Sequence, residues 1–187
     1  MLPSRTRFFI AVAAACLWSA AGLSVRAETL KFPGDKPAFS VTLPEGWACT
    51  IDKDGDGTCQ NSGDASYQIQ IMSAPGEIKD DASVKPVLQH VLELVNEATK
   101  MANAQIGKAY ELKNANKVKF IGQKSEGKVS GANVYVNALV FSPREGKYFM
   151  IEFIGAVAAK ATNDKVTGSV LESIRAIKEG SGEAPGN

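Results

Sequence analysis

The residues that could do chemistry at close quarters lie in C-T-I-D-K-D-G-D-G-T-C, from Cys49 to Cys59 of a 187-residue chain. Counted as a calcium loop, Asp52, Asp54 and Asp56 supply carboxylates at alternate positions, Gly57 takes the sharp bend, and Thr58 and Gln60 follow as oxygen donors. The closing bidentate Glu of a helix-flanked loop is missing, since that position is Gly63, and the incoming W-A-C-T-I favours a strand over a helix. The same letters also spell a β-hairpin. Cys49 and Cys59 are symmetric about Asp54, as are Ile51 and Gly57, and Asp-Gly pairs supply the positive φ of a tight turn. Cysteines facing one another across such a hairpin lie within disulfide reach. A hairpin stapled by Cys49 and Cys59 is the more economical reading. Asp52, Asp54 and Asp56 are the metal candidates, and weak calcium is the one cofactor they could imply.

Other chemistry is poorly supplied. His90 is the single histidine, which leaves Ser-His-Asp, zinc-histidine and haem-histidine schemes without material. It falls beside the apolar stripe of a helical segment, next to Glu93 and Leu94, as a boundary residue. Asp80 and Asp81 read as acids at a helix N-terminus, where they complement the dipole. G-D-G-T lacks the Lys-Ser/Thr ending of a phosphate loop. Trp47 and Phe149 read as core, and the lysines of K-N-A-N-K-V-K-F and G-Q-K-S-E-G-K-V as a guarded sheet edge. No catalytic residue is assigned, and the chain is not expected to be an enzyme.

These candidates sit behind an address. Arg5 and Arg7 precede an apolar stretch from Phe8, and Val25-Arg26-Ala27 ends it, the layout of a secretory signal over residues 1–27 cut after Ala27. Ser19 and Ser24 interrupt the run before it reaches the length of a membrane span, so no stable insertion is expected after cleavage. Cys16 has Ala13 three positions earlier, where a lipidated cysteine follows a large aliphatic residue, and reads as part of the apolar segment. Cleavage removes Arg5, Arg7 and Arg26 from the 21 basic residues and none of the 20 acidic ones, so 18 face 20 and the net charge becomes −2. That balance gives no attraction for nucleic acid or anionic lipid. Cys49 and Cys59 remain, an even number suited to the oxidising periplasm or exterior.

The segments that position the hairpin alternate between two periods. Phe39, Val41 and Leu43 alternate with Ser40 and Thr42; Tyr67, Ile69 and Ile71 share another strand face. Between them, W-A-C-T-I and T-C-Q-N-S are β-rich. From residue 81 the period becomes helical: Val84, Val87, Leu88, Val91, Leu92, Val95 and Ala98 form one stripe, with Ser83 or Asp81 as cap and Pro86 in the first turn. Strands return in K-V-K-F-I-G-Q-K-S-E-G, A-N-V-Y-V-N-A-L-V-F-S and G-K-Y-F-M-I-E-F-I-G-A. S-E-G-K-V-S-G separates the first two, and P-R-E-G joins the second and third. A closing helix presents Val166, Val170, Ile174 and Ile177 on one face, capped by Asn163. One domain over residues 28–179 and a loose tail over 180–187 complete the chain.

With these elements in order, the chain resembles the PsbP-like family. That family opens on F-x-[IV]-x-x-P-x-G-W, matched by Phe39, Val41, Pro44, Gly46 and Trp47, and its last helix ends in S-I-[RK], matched by Ser173, Ile174 and Arg175. The resemblance implies an α+β fold, an α/β/α sandwich with a central antiparallel β-sheet flanked by helices. Family members include photosystem accessory subunits, exported or lipoprotein members in bacteria, and relatives that bind a small GTPase; most bind or assemble without catalysing a reaction. The cysteine-bracketed acidic loop is not part of that pattern. The expectation is an exported, non-catalytic binding or assembly module of the bacterial cell envelope that holds a protein or envelope component. The alternative is a calcium-responsive module at Asp52, Asp54 and Asp56.

Overall fold

The structure, a computed structural model, describes residues 27–34 and 36–178. The signal segment apart from Ala27, with Cys16, and the tail over 180–187 lie outside the described residues. Two antiparallel sheets carry the fold. The smaller joins β1 (Glu28–Phe32), β2 (Phe39–Leu43) and β11 (Arg175–Ala176) in the order β1-β2-β11. The larger contains β3 (Trp47–Ile51), β4 (Gly57–Asn61), β5 (Asp64–Ser73), β6 (Ala102–Ile106), β8 (Lys119–Val129), β9 (Ala132–Arg144) and β10 (Lys147–Ala156), ordered β3-β4-β5-β10-β9-β8-β6, with β7 (Tyr110–Lys113) also paired to β8. Helix α1 (Asp81–Ala98) packs on β6, β8 and β9; α2 (Lys160–Ser173) packs on β2 and β10. The chain is mixed α+β, with a large antiparallel sheet and a helix on either side.

The centre of the large sheet is apolar on both faces because both are covered there. Along β9, Tyr135, Leu139 and Phe141 join the core under the small sheet and α2, while Val136, Ala138 and Val140 join the core under α1. Alternation of side chains explains why N-V-Y-V-N-A-L-V-F reads as a nearly continuous apolar run. Around Phe39, the rings of Phe141 and Phe149 lie 4.9 Å away centroid to centroid and Phe32 stacks at 5.7 Å. Burying each such ring contributes roughly 1.5–3 kcal/mol.

Several boundaries differ from the sequence expectation. The cap of α1 is Asp80, one residue earlier than Asp81. Its Oδ1 accepts from the Ser83 amide at 2.8 Å and Ser83 Oγ accepts from the Asp80 amide at 3.1 Å, a reciprocal box that satisfies two otherwise unpaired donors. Asn163 is no cap: it is buried inside α2, which starts at Lys160. That helix stops at Ser173, and Ile174 turns extended so that Arg175 and Ala176 pair with Ser40 and Phe39. The amides of Asn114 and Asn116, from the turn between β7 and β8, donate to the carbonyls of Leu171, Glu172 and Ile174 at 2.8–3.1 Å and so close the helix end. β8 continues through the expected turn to Val129, leaving Ser130 and Gly131, both at positive φ, to reverse the chain. G-Q-K-S-E-G-K-V therefore lies inside the sheet, flanked by β9 and by β6 and β7, rather than at an edge.

Candidate functional site

The hairpin from β3 to β4 keeps the register Trp47↔Asn61, Cys49↔Cys59 and Ile51↔Gly57. Cys49 and Cys59 are bonded through sulfur, with their Cα atoms 4.0 Å apart. The acidic tip is organised by its own backbone. Asp52 Oδ1 accepts from the amides of Asp54 at 2.8 Å and Asp56 at 3.0 Å, and the Asp52 amide donates to the Asp56 carbonyl at 2.9 Å. Gly55 sits at φ +83°, the left-handed region that a side chain disfavours. Asp56 Oδ1 accepts from the Ser73 amide at 3.3 Å, which ties the tip to the end of β5. Asp52, Asp54 and Asp56 thus share one turn, yet the Asp52 and Asp56 carboxylates are aimed at backbone amides. Among the described residues, no three or more His, Cys, Asp or Glu side chains are grouped to hold a metal ion.

The hairpin's larger contribution is a surface. Helix α1 covers β6, β8 and β9, and the strands on the other half of that sheet face carry polar side chains in register. One row across the sheet runs Thr50, Thr58, Gln70, Glu152, Ala138, Gln123; the next runs Ala48, Gln60, Gln68, Ile154, Val136, Ser125. Ala48, Thr50, Thr58 and Gln60 are exposed, Gln68, Gln70 and Ile154 half-buried, and Glu152, Ala138, Val136, Gln123 and Ser125 buried. The result is an uncharged face of hydroxyls and amides, each able to donate or accept hydrogen bonds.

Glu152 stands where this open half meets the covered half. It is 2% exposed, and its Oε1 has no hydrogen-bond partner. Desolvation alone pushes its carboxyl up to about 7, against an ordinary 4.5, because the charged form has lost its water. Sequence reasoning missed it. Its signal was a single acid inside an apolar central strand, Y-F-M-I-E-F-I-G-A.

Two other polar groupings lie away from this face. Under α2, the Tyr67 and Thr167 hydroxyls are hydrogen-bonded and buried. Burial pushes the Tyr67 hydroxyl well up, which keeps it protonated. The Tyr135 hydroxyl and Asn163 Nδ2 lack hydrogen-bond partners there, packed over Gly155, where a Cβ would stand 2.7 Å from Asn163 Nδ2 and 2.9 Å from the Tyr67 ring. At the start of α1, a groove of about 320 Å³ is lined by Asp81, Lys119, Glu145 and Tyr148 among others. Lys119 Nζ lies 3.1 Å from both Asp81 and Glu111, and Lys85 lies 3.3 Å from Glu111. Hydrogen bonds to Asp81 and Glu111 raise Lys119, and Lys119 and Lys85 lower Glu111, so these charges satisfy one another. His90 is exposed on α1, its Nδ1 3.9 Å from Glu93, and Trp47 and Phe149 are buried in the core.

Comparison with solved structures identifies this arrangement of sheet and helices. The fold is PsbP-like. The solution structure of the cyanobacterial PsbP (CyanoP) of Synechocystis sp. PCC 6803 superposes with a TM-score of 0.62 at 16% identity, covering 86% of this chain and 99% of that one. LpqN of Mycobacterium tuberculosis, involved in cell envelope biogenesis, matches with a TM-score of 0.51 at 14% identity over 81% of this chain and 91% of that one. The Saccharomyces cerevisiae Ran-binding protein Mog1p matches with a TM-score of 0.54 at 10% identity over 81% and 96%. No protein-family model and no curated protein matches the sequence. At these identities the PsbP-like fold is what is shared. No helix among the described residues is long and apolar enough to cross a membrane.

Proposed function

We propose that this chain is an exported, non-catalytic binding or assembly module of the bacterial cell envelope, and that it holds a protein partner on the uncovered sheet face of β3, β4 and β5. The observation that carries this reading is the face itself, with Thr50, Thr58, Gln60, Gln68 and Gln70 side by side and beyond the reach of α1. An array of neutral hydrogen-bonding groups on a sheet suits recognition of polar backbone and side chains. The signal-like start, the paired cysteines and the near-neutral charge support export and argue for a protein or envelope component over nucleic acid. The folds of LpqN and Mog1p, one involved in cell envelope biogenesis and one binding Ran, are consistent with such work.

A photo-crosslinking side chain placed at Gln60, with a second variant carrying it at Lys165 on α2, tests the assignment in native cells. Specific adducts from position 60 and none from position 165 support it. Adducts from position 165 alone would move the binding surface to the opposite side of the molecule.

A further inference from the structure

Averaged over the chain the charges nearly cancel, but they are not spread evenly. From the turn before β3 to the end of β5, residues 44–73, the one basic residue is Lys53, against Glu45, Asp52, Asp54, Asp56 and Asp64. Elsewhere after residue 27 the balance reverses, with 17 basic residues to 15 acidic. The fold sets those five acids at both ends of the open half of the large sheet. Asp52, Asp54 and Asp56 stand at the hairpin tip, beside the end of β5. Glu45, in the turn before β3, and Asp64, where β5 begins opposite Asn61, stand at the other end. Glu45, Asp52, Asp54 and Asp64 are exposed. β3 and β4, five residues each, hold the two ends roughly 17 Å apart. Thr50, Thr58, Gln60, Gln68 and Gln70 lie between them.

The inner margin of the face is acidic as well, and there the acid is unsatisfied. Ile151 and Phe153 join the core under α2, so Glu152 between them points to the face shared with α1. Lys85, Gln89 and Asn96 of α1 reach Glu111, Gln123 and Ser125 on β7 and β8. The helical repeat then puts Val87, Val91 and Leu94 on the flank nearer β10. Gln70 and Ala138 flank Glu152 across the sheet, and Met150 and Ile154 precede and follow it on the same face of β10. No cation is among these neighbours, desolvation is the sole influence on the carboxyl, and Oε1 has no hydrogen-bond partner. Leu94, 39% exposed, and half-buried Val87 and Ile154 leave apolar surface beside it.

We propose that the open face takes a basic segment of the partner protein, an extended stretch whose lysine or arginine side chains reach the acids at the two ends and Glu152 at the inner margin. The inference rests on the reading of this face as the partner-binding surface and names the chemistry of what it holds. A segment laid along the strands covers the distance between the ends in about five residues. The hydroxyls and amides beneath it supply donors and acceptors for its backbone. At the inner margin a long aliphatic stem ending in a charge matches the surroundings, with Val87, Leu94 and Ile154 along the stem and the Glu152 carboxyl at its head. A neutral segment leaves that carboxyl unsatisfied, and an acidic one meets like charge on three sides. The exposed acids also speed encounter with a basic partner, an effect that salt screens.

Backbone amide chemical shifts of the purified chain, titrated with hexa-arginine at pH 8, where Glu152 is largely ionised, test this. Hexa-arginine spans the face in any register. Saturable shifts confined to β3, β4, β5 and the middle of β10 are expected. Glu45→Gln with Asp54→Asn should weaken binding about tenfold, and Glu152→Gln should weaken it by a similar factor, with thermal midpoints no lower than the wild type. Glu93→Gln with Glu97→Gln, which removes the same charge from the exposed side of α1, should leave the affinity within about twofold. No saturable binding, shifts scattered over the surface, or an affinity indifferent to the variants at the face overturns the proposal. So does hexa-glutamate binding as tightly as hexa-arginine, or spermidine doing so, which would assign the acids to a free polyamine. Crosslinks from Gln60 that map to a neutral or acidic segment of the captured protein would also overturn it, while leaving the face as the partner-binding surface.

Discussion

The two faces of the large sheet are covered to different extents. The face toward α2 is sealed by the small sheet and the helix: Phe39, Phe120, Phe141, Phe153, Ile69 and Leu139 are at most 1% exposed. The face toward α1 is sealed over β8 and β9, and then opens into threonines and glutamines over β3, β4 and β5. Apolar surface at the open half would be sticky in solvent, and charges would repel a partner of the wrong sign. Neutral polar side chains avoid both. The comparison teaches that one face is sealed along its length, while the other is sealed by α1 over half its width and left polar over the rest.

Substitutions should separate the two faces sharply. Phe39→Ala, on the sealed side, removes a ring that touches three others and should cost about 3–5 kcal/mol in urea unfolding; a loss under about 1 kcal/mol would mean the small sheet does not depend on this cluster. Loss of the Cys49–Cys59 bond, as Cys49→Ala with Cys59→Ala, should cost roughly 3 kcal/mol in the chain-entropy model. Mass measurement with and without reductant should show the two-hydrogen difference, and free thiols at both positions would remove this prediction.

Glu152 supplies a pH test at the boundary between the halves. Its folded value of about 7 lies above the ordinary 4.5, so the native state holds a proton that the unfolded chain has released between those limits. Stability should therefore be greatest below about pH 4.5 so far as this group is concerned, fall as pH rises to 7, and level off above it. The whole excursion amounts to roughly 3 kcal/mol. Glu152→Gln should flatten this slope, and an unchanged slope would show that water reaches the carboxyl. On the acidic tip the expected effect is smallest. With Asp52 Oδ1 already accepting two amide hydrogens, thermal midpoints in calcium and in chelator should coincide, and a rise with calcium would favour the ion-binding alternative.

Much of the scaffold was legible because packing and period agree. Phe39, Val41 and Leu43 alternate since β2 is buried on one face, and the α1 stripe from Val84 to Val95 faces the sheet as its spacing requires. The hairpin register followed from symmetry about Asp54. Elsewhere the deciding contacts were distant in sequence. Ile174 and Ile177 fit a helical stripe as well as an extended exit, and the amides of Asn114 and Asn116, the edge of β2 and the Arg144 guanidinium on the Ile177 carbonyl favour the exit after Ser173. β6 went unread because Ala102–Gln105 is exposed throughout and has no apolar period. The division into two sheets was hidden for a similar reason, since β1 takes its partner across Pro33 from β2. The polar face was invisible until register was known: Thr58, Gln70 and Glu152 become neighbours only when three strands align.

The central claim is that the open half-face, and no other part of the surface, holds the partner. Thr58→Arg with Gln60→Arg puts two charges on it without touching the core. The most direct measurement compares this variant with the wild type for thermal midpoint and for the amount of partner captured by crosslinking in the native envelope. Unchanged melting with capture lost is the predicted result; unchanged melting with capture intact would contradict it.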